Sequence, residues 1–188
     1  IMIRLFLAML LFSSAAIAVE VGGVKLDEKA RVGATELVLN GAGLRTRAFF
    51  KVYAAGLYLT ERRATTEEVL ALPGAKRVAL TMLREVTAQQ LADALDEGIR
   101  DNHPAAEAER LKPRVAKLLA IMTTIGTAKP GMVIALDFAP GAGTRVSVDG
   151  TVRGEPIEGD DFYRALLRIW LGESPVDRTL KGGLLGQK

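Results

Sequence analysis

The stretch FFKVYAAGLYL at residues 49–59 decides the fold class of this chain. Apolar side chains alternate onto both of its faces, with Phe50, Val52, Ala54, Gly56 and Tyr58 on one face and Phe49, Tyr53, Ala55, Leu57 and Leu59 on the other. A strand that is apolar on both faces has to be covered on both faces. The stretch therefore predicts a central strand of a sheet.

The residues around this strand predict further strands and two longer helices. Strands are predicted at 36–39 and 77–83, with a turn at Gly41-Ala42-Gly43 and a short helix near 66–72. Thr87 and Gln90 have the spacing of a capping box, which predicts a helix over 88–100. A second helix is predicted over 105–124, with a break or a new start at Pro113.

The last third of the chain predicts a meander and two helices. Strands are predicted at 132–138, 144–148 and 151–157, and Asp149-Gly150 has the sequence of a two-residue hairpin turn. A helix is predicted from Asp160 to Gly172, and a last one from Ser174-Pro175 to near Gly182. The pattern as a whole predicts an α+β fold, a mostly antiparallel sheet with helices packed on one side.

Composition excludes several classes of function. The 188 residues have no cysteine, one histidine and a formal net charge of +3. The absence of cysteine excludes disulfides, thiolate catalysis and cysteine-based metal sites, and the small, scattered positive charge does not indicate a nucleic-acid partner. We expect no metal and no cofactor. His103 lies in the polar segment 101–104 and is predicted to be a surface loop residue.

The N-terminal segment predicts export. Arg4 gives a short basic region, residues 5–12 are apolar, and Ala16-Ile17-Ala18 ends the segment with two small residues. This is the pattern of a secretory signal peptide. We therefore expect residues 1–18 to be a signal peptide and residues 19–188 to form one domain without a stable membrane anchor. Export without cysteines indicates a bacterial periplasm.

Four blocks of sequence carry a resemblance to a known family. They are Gly41–Arg45 with the strand at 50–59, Leu83–Thr87, Ala139–Thr144, and Leu167–Gly172. In this order they resemble the chalcone isomerase family, specifically its bacterial chalcone-isomerase-like branch. The resemblance implies an open-faced β-sandwich with a ligand cleft between helices and sheet. The enzymes of the family close a flavanone ring by adding a phenolate to an enone, and cationic and hydroxyl groups stabilise the enolate.

The resemblance also implies site residues. Arg45 matches an arginine of the enzymes and Lys51 a lysine, whereas Tyr53 stands where they have threonine. The enzymes' lysine, tyrosine, asparagine and threonine at four further pocket positions are replaced by Met82, Leu91, Gly98 and Ile169. A pocket that keeps the arginine, gains a tyrosine and is otherwise apolar is similar to that of non-catalytic, fatty-acid-binding members, in which an arginine and a tyrosine hold the carboxylate.

The resulting hypothesis assigns ligand binding to Arg45 and Tyr53, with Lys51 and Arg84 as further candidates. The alternatives are an exposed turn arginine, a core tyrosine with a satisfied hydroxyl, and ion pairs at the sheet edge. In one straight strand Arg45 and Tyr53 would lie about 26 Å apart at roughly 3.3 Å per residue. Both can reach one carboxylate only if the chain reverses near residues 46–48.

Three functions remain open from the sequence. The first is an exported, non-catalytic carrier of a fatty acid or a similar small apolar ligand with an anionic end. The second is an isomerase or intramolecular lyase that acts on a chalcone-like or other unsaturated carbonyl substrate, with Arg45 as electrophile. The third is an interaction protein with a vestigial cleft.

Overall fold

A seven-stranded antiparallel sheet forms the framework of the protein in the computed structural model, which describes residues 18–187. The sheet has the order β11-β10-β9-β6-β5-β4-β3. Its strands are β3 (Lys29–Val32), β4 (Thr35–Arg47), β5 (Phe50–Leu59), β6 (Lys76–Met82), β9 (Val133–Ala139), β10 (Gly143–Val148) and β11 (Thr151–Ile157). β5 lies inside the sheet between β4 and β6, as its two apolar faces predict.

One small hairpin, one further pair of two-residue strands and five helices complete the fold of residues 18–187. β1 (Ala18–Val21) pairs with β2 (Val24–Asp27), and β7 (Val86–Thr87) pairs with β8 (Thr127–Ala128). The helices are α1 (Thr66–Ala71), α2 (Ala88–Asn102), α3 (Ala105–Thr123), α4 (Asp160–Leu171) and α5 (Arg178–Leu184). No helix in the described part of the chain is long and apolar enough to cross a membrane. The predicted signal peptide, apart from Ala18, lies outside the described residues.

The two faces of the sheet pack differently. On one face, side chains such as Leu57 and Leu136 form the main core together with apolar residues of all five helices. On the other face, Tyr58 packs with Leu26, Leu37 and other residues of the strands. The predicted α+β class, with helices gathered on one side of a mostly antiparallel sheet, is confirmed.

The predicted capping box is also present, because the Thr87 hydroxyl accepts a hydrogen bond from the Gln90 backbone N–H. The predicted break at Pro113 is wrong, since α3 continues through it. Proline removes one helical hydrogen bond. Buried residues before and after it, Leu111 and Val115, hold both halves of the helix against the core.

The turn predicted at Gly41-Ala42-Gly43 is wrong as well. β4 runs through these residues, and the chain reverses at Ala48-Phe49, where φ is 46° and 69°. The glycines are needed because α5 lies directly on the strand. A Cβ atom on Gly41 would be 2.2 Å from the Gly183 carbonyl oxygen, and one on Gly43 would be 3.1 Å from Leu180 Cδ1. They provide a close approach between two backbones, not a change of direction.

Two further expectations need correction. α5 begins at Arg178 and not at Ser174-Pro175, because Asp177 caps it by accepting from the Leu180 N–H at 3.0 Å. His103 is buried and not a surface loop residue. Its Nε2 lies 3.2 Å from the Ala165 carbonyl oxygen, which satisfies the ring inside the core where α4 meets the end of α2.

The core contains all three tyrosines, and this predicts alkaline unfolding. Burial raises the pKa of Tyr53 and of Tyr58 to about 12 from 10.0, and it raises the pKa of Tyr163 as well. Since an unfolded tyrosine loses its proton near pH 10, the stability is fully present below that pH and is lost between pH 10 and 12. The loss should be about 3 kcal/mol for each of the first two tyrosines.

Denaturant unfolding followed at several pH values above 9 checks this expectation. Tyr58→Phe is the useful variant, because the Tyr58 hydroxyl forms no hydrogen bond with the described residues. Between pH 10 and 12 the free energy of unfolding of the variant should fall less steeply with pH than that of the wild type. The difference in slope should correspond to about one proton. An unchanged slope would show that Tyr58 ionises normally in the folded protein.

Candidate ligand cleft

The β4–β5 hairpin brings Arg45 and Tyr53 together. The chain reverses at Ala48-Phe49, immediately after residues 46 and 47, and Arg45 is the cross-strand partner of Tyr53. Residues that face each other in an antiparallel pair have Cβ atoms about 5 Å apart on the same face of the sheet. The pairing shifts by one residue between Arg45 and Thr46, which is a bulge at the rim of the cleft. The reversal that joint binding requires is therefore present.

A cleft with two adjacent chambers, which share lining residues, opens between this hairpin and α2. The outer chamber has a volume of about 280 Å³ and includes Arg45, Arg47, Arg84 and Glu85 in its lining. The inner chamber has a volume of about 60 Å³ and lies deeper, against β6, β9 and α4. The residues common to both linings are Tyr53, Leu91, Ala94 and Val176.

The two chambers differ in chemistry. The outer one has three arginines and one glutamate among its otherwise mostly apolar lining residues, whereas apolar side chains line the inner one, among them Leu80, Leu95, Met122, Ile134, Leu136 and Ile169. The polar atoms among the inner lining side chains are the Tyr53 hydroxyl and the Trp170 indole nitrogen. The cleft is thus cationic at its mouth and apolar at its base.

Arg45 is held at the mouth by contacts with described residues that do not use all of its donors. Its Nη1 donates to the Thr46 carbonyl oxygen at 2.8 Å and lies 3.8 Å from Asp177 Oδ2. The second distance is long for an ion pair, so the guanidinium is not locked in a bidentate bond. The Arg45 side chain is 23% exposed, which leaves it partly desolvated and still accessible. Such a group can receive a carboxylate.

Asp177 lies beside Arg45 and was not predicted from the sequence, although it is not among the residues that line the two chambers. Its Oδ1 caps α5, and its Oδ2 accepts from the Thr46 backbone N–H at 3.1 Å. One carboxylate therefore ties the start of α5 to the end of β4, beside Arg45. Aspartate before a helix is a common N-cap, which was the available signal. The capping role of Asp177 was missed because the predicted helix began earlier, at Ser174-Pro175.

Tyr53 stands where the two chambers meet. Its hydroxyl oxygen accepts a hydrogen bond from Trp170 Nε1 at 3.0 Å, which leaves the hydroxyl hydrogen free to be donated. Burial raises its pKa to about 12, although the Trp170 bond and the Arg45 charge oppose the rise and Asp177 adds to it. Tyr53 is thus a neutral donor at physiological pH.

The contact with Trp170 changes what Tyr53→Phe would test. Phenylalanine would leave the buried indole N–H without its partner, at a cost of about 1–3 kcal/mol in stability. Trp170 itself is a core residue that also lines the inner chamber. Binding and folding effects would therefore be mixed in Tyr53→Phe, and Arg45 offers the cleaner test of the site.

The four predicted pocket-lining residues lie in different places. Leu91 belongs to both chambers and Ile169 to the inner one. Met82 is fully buried on β6 as the cross-strand partner of Tyr53, but it is not among the residues that line the two chambers. Gly98 packs against Ile169, since a Cβ atom there would be 2.8 Å from Ile169 Cγ2. It shapes the inner chamber through Ile169.

Of the two further basic candidates, one lines the cleft and the other does not. Arg84 lines the outer chamber, and its guanidinium lies 4.9 Å from the centre of the Phe50 ring. Lys51 is exposed at the tip of the hairpin and is not among the residues that line the cleft. Among the described residues, no group of three histidine, aspartate or glutamate side chains could hold a metal ion.

Comparison with known proteins identifies the family. Residues 18–186 match the family model described as chalcone isomerase-like. The chain belongs to the chalcone isomerase-like family. No curated protein sequence matches it. The resemblance found in the four sequence blocks is therefore confirmed over the described part of the chain.

A solved structure shows the same chalcone isomerase-like fold. It is a fatty-acid-binding protein of Arabidopsis thaliana, which matches with a TM-score of 0.69 at 16% sequence identity. The match covers 87% of this chain and 92% of the plant protein. At this identity the likeness establishes the fold.

Proposed function

We propose that this protein is an exported, non-catalytic carrier of a fatty acid or a similar apolar carboxylate. The observation that carries the proposal is the pairing of Arg45 with Tyr53 at the junction of a cationic mouth and an apolar chamber. The Arabidopsis protein that shares the fold binds fatty acids, which supports the same class of ligand. The signal-peptide pattern of residues 1–18 supports export to the periplasm.

The polarity of the cleft suits a molecule with one anionic end. A carboxylate at the mouth can accept from Arg45 and from the Tyr53 hydroxyl, which are paired on adjacent strands. Its hydrocarbon chain then extends inward past Leu91 and Ala94, where burial of each methylene contributes about 0.8 kcal/mol. The reverse orientation would place a charge among apolar side chains, which is costly.

The volume of the inner chamber limits the length of hydrocarbon chain that fits there unless side chains move. At about 60 Å³ it has room for only about four to six water-sized groups. A long chain must therefore also occupy the outer chamber or displace side chains such as Leu91, which is only partly buried. We infer that the carrier adapts to its ligand by movement of α2 side chains at the junction of the chambers.

The enzyme hypothesis is less well supported by the same geometry. Ring closure needs groups that stabilise a developing enolate and orient water, and the corresponding positions hold buried Met82 and the apolar Leu91 and Ile169. Tyr53 is a weak acid here because its pKa is raised to about 12. Saturable cyclisation of a chalcone that Arg45→Ala abolishes would favour the enzyme over the carrier.

Calorimetry on delipidated protein tests the proposed function. A long-chain fatty acid should bind at least tenfold more tightly than the alcohol of the same chain length, because only the acid forms a charge-assisted bond with Arg45. Equal affinities would contradict an anionic ligand end. If neither compound binds, the carrier hypothesis is wrong for this ligand class. Native mass spectrometry of protein from its own host would identify the natural ligand.

A further inference from the structure

The tip of the β4–β5 hairpin exposes two adjacent aromatic side chains at the mouth of the cleft. Phe49 is fully exposed and Phe50 is 61% exposed. The other large apolar residues that are exposed in the described part of the chain, Val19 and Val152, lie on β1 and β11. The tip is thus a local concentration of exposed aromatic surface.

Folding does not account for Phe49. It sits in a two-residue hairpin loop with φ at 69°, a region that bulky side chains rarely adopt and that costs free energy. The other two-residue loops of this sheet are Gly33-Ala34 between β3 and β4 and Asp149-Gly150 between β10 and β11, and each contains a glycine that suits a positive φ. A strained aromatic residue that is fully exposed in the described part of the chain indicates that its use lies outside the folded domain.

Basic side chains surround the exposed rings. Arg47 is the cross-strand partner of Phe50, and Lys51 is exposed beside it. Arg84 stacks over the Phe50 ring at 4.9 Å, and Glu85 is the acidic residue that lines the same mouth. Aromatic rings flanked by arginine and lysine are the combination that binds the interface of an anionic bilayer, where rings enter the headgroup layer and cations contact phosphates.

We propose that this hairpin tip, residues 46–51 with Arg84, docks onto the surface of a membrane that contains anionic lipids. Phe49 inserts at the headgroup level, and Arg47, Lys51 and Arg84 contact lipid phosphates. Docking places the mouth of the cleft against the bilayer. The proposal does not depend on the carrier function, because vesicle binding is measured with protein that holds no ligand.

Vesicle flotation tests the proposal on residues 18–188, which contain the whole sheet and every described helix but not the apolar 5–12 stretch. The protein should bind vesicles that contain phosphatidylglycerol and bind much more weakly to pure phosphatidylcholine. Phe49→Asn should weaken the binding by about tenfold or more. Val152→Asn removes another exposed apolar side chain, 57% exposed, from β11 and should leave binding unchanged.

The charges and the fold are checked in the same assay. Lys51→Gln should weaken binding to the anionic vesicles by about fivefold, whereas Lys117→Gln on α3 should not. Phe49→Asn should melt at the wild-type temperature or about 2 °C above it, because asparagine tolerates a positive φ. A variant with this melting temperature has lost only the exposed ring.

Three results would overturn membrane docking. The wild type fails to bind the anionic vesicles, or Phe49→Asn binds them as well as the wild type does. In the third, the wild type is an oligomer without vesicles and Phe49→Asn is a monomer, which would make the tip a contact between copies of the chain. Emission of Phe49→Trp that shifts to the blue and is quenched by brominated lipid would support the proposal directly.

Discussion

Replacement of Arg45 by alanine is expected to weaken the binding of a long-chain fatty acid by about 2 kcal/mol or more, about thirtyfold. The guanidinium is partly shielded at the mouth of the cleft and keeps donors free beyond its bond to the Thr46 carbonyl. Its removal also leaves Asp177 without the neighbouring cation, so that this carboxylate repels the ligand. The protein should stay folded, because Arg45 is not part of the core.

Asp177→Asn gives the opposite expectation for the acid. Asparagine can still cap α5 through its side-chain oxygen, but its amide nitrogen cannot accept from the Thr46 N–H, and the uncharged side chain no longer competes with the ligand for Arg45. The fatty acid should therefore bind about two- to fivefold more tightly to Asp177→Asn, in keeping with the small energy of a partly exposed ion pair. The fatty alcohol should bind equally to both proteins.

Calorimetry with the acid and the alcohol measures these effects, and Arg47→Ala is the matched control. Arg47 lines the same outer chamber but is exposed and has no assigned place at the carboxylate. Its loss should cost much less affinity than the loss of Arg45. If Arg45→Ala binds the acid as well as the wild type does, or if both arginine variants lose the same affinity, Arg45 has no specific role in the site.

The second large effect concerns stability, where Gly183→Ala is expected to lower the free energy of unfolding by about 3 kcal/mol. A Cβ atom on Gly183 would lie 2.5 Å from the Ala42 carbonyl oxygen, so that α5 would have to move away from β4. Because these are backbone atoms, no side chain can turn aside to relieve the overlap. The movement would also pull Asp177 away from Thr46 and Arg45.

Gly182→Ala is the control within the same helix. The nearest atom to a Cβ on Gly182 is Gln187 Oε1 at 3.8 Å, which is ordinary contact. Alanine should therefore stabilise the protein by about 0.5–1 kcal/mol through helix propensity. Urea unfolding of the two variants measures the difference. Equal stabilities would show that α5 does not pack on β4 as closely as the structure places it.

Local signals in the sequence were sufficient for most of the secondary structure. The capping box of Thr87 and Gln90 marked the start of α2, and Asp149-Gly150 marked the turn between β10 and β11. These signals work because each depends on residues a few positions apart, whose hydrogen bonds or backbone angles do not depend on the rest of the fold. The four family blocks then identified the whole architecture.

Signals failed where a distant segment decided the outcome. Gly41-Ala42-Gly43 has the composition of a turn. However, Gly183 and Leu180 of α5, some 140 residues later, pack so closely against this segment that side chains on its two glycines would overlap with them. Pro113 resembles a helix end, but buried neighbours hold α3 together across it. Asp177 looks like a loop residue until α5 folds and brings it beside Arg45.

The sequence by itself determined that this chain folds as a chalcone isomerase-like α+β domain and that Arg45, Tyr53, Leu91 and Ile169 are candidates for its cleft. Only the tertiary structure decided how they meet. The reversal at Ala48-Phe49 pairs Arg45 with Tyr53, and the packing of α2, α4 and α5 separates a cationic mouth from an apolar chamber. The reason is that side-chain identity is local, whereas a cavity is the space that segments far apart in the chain leave between them.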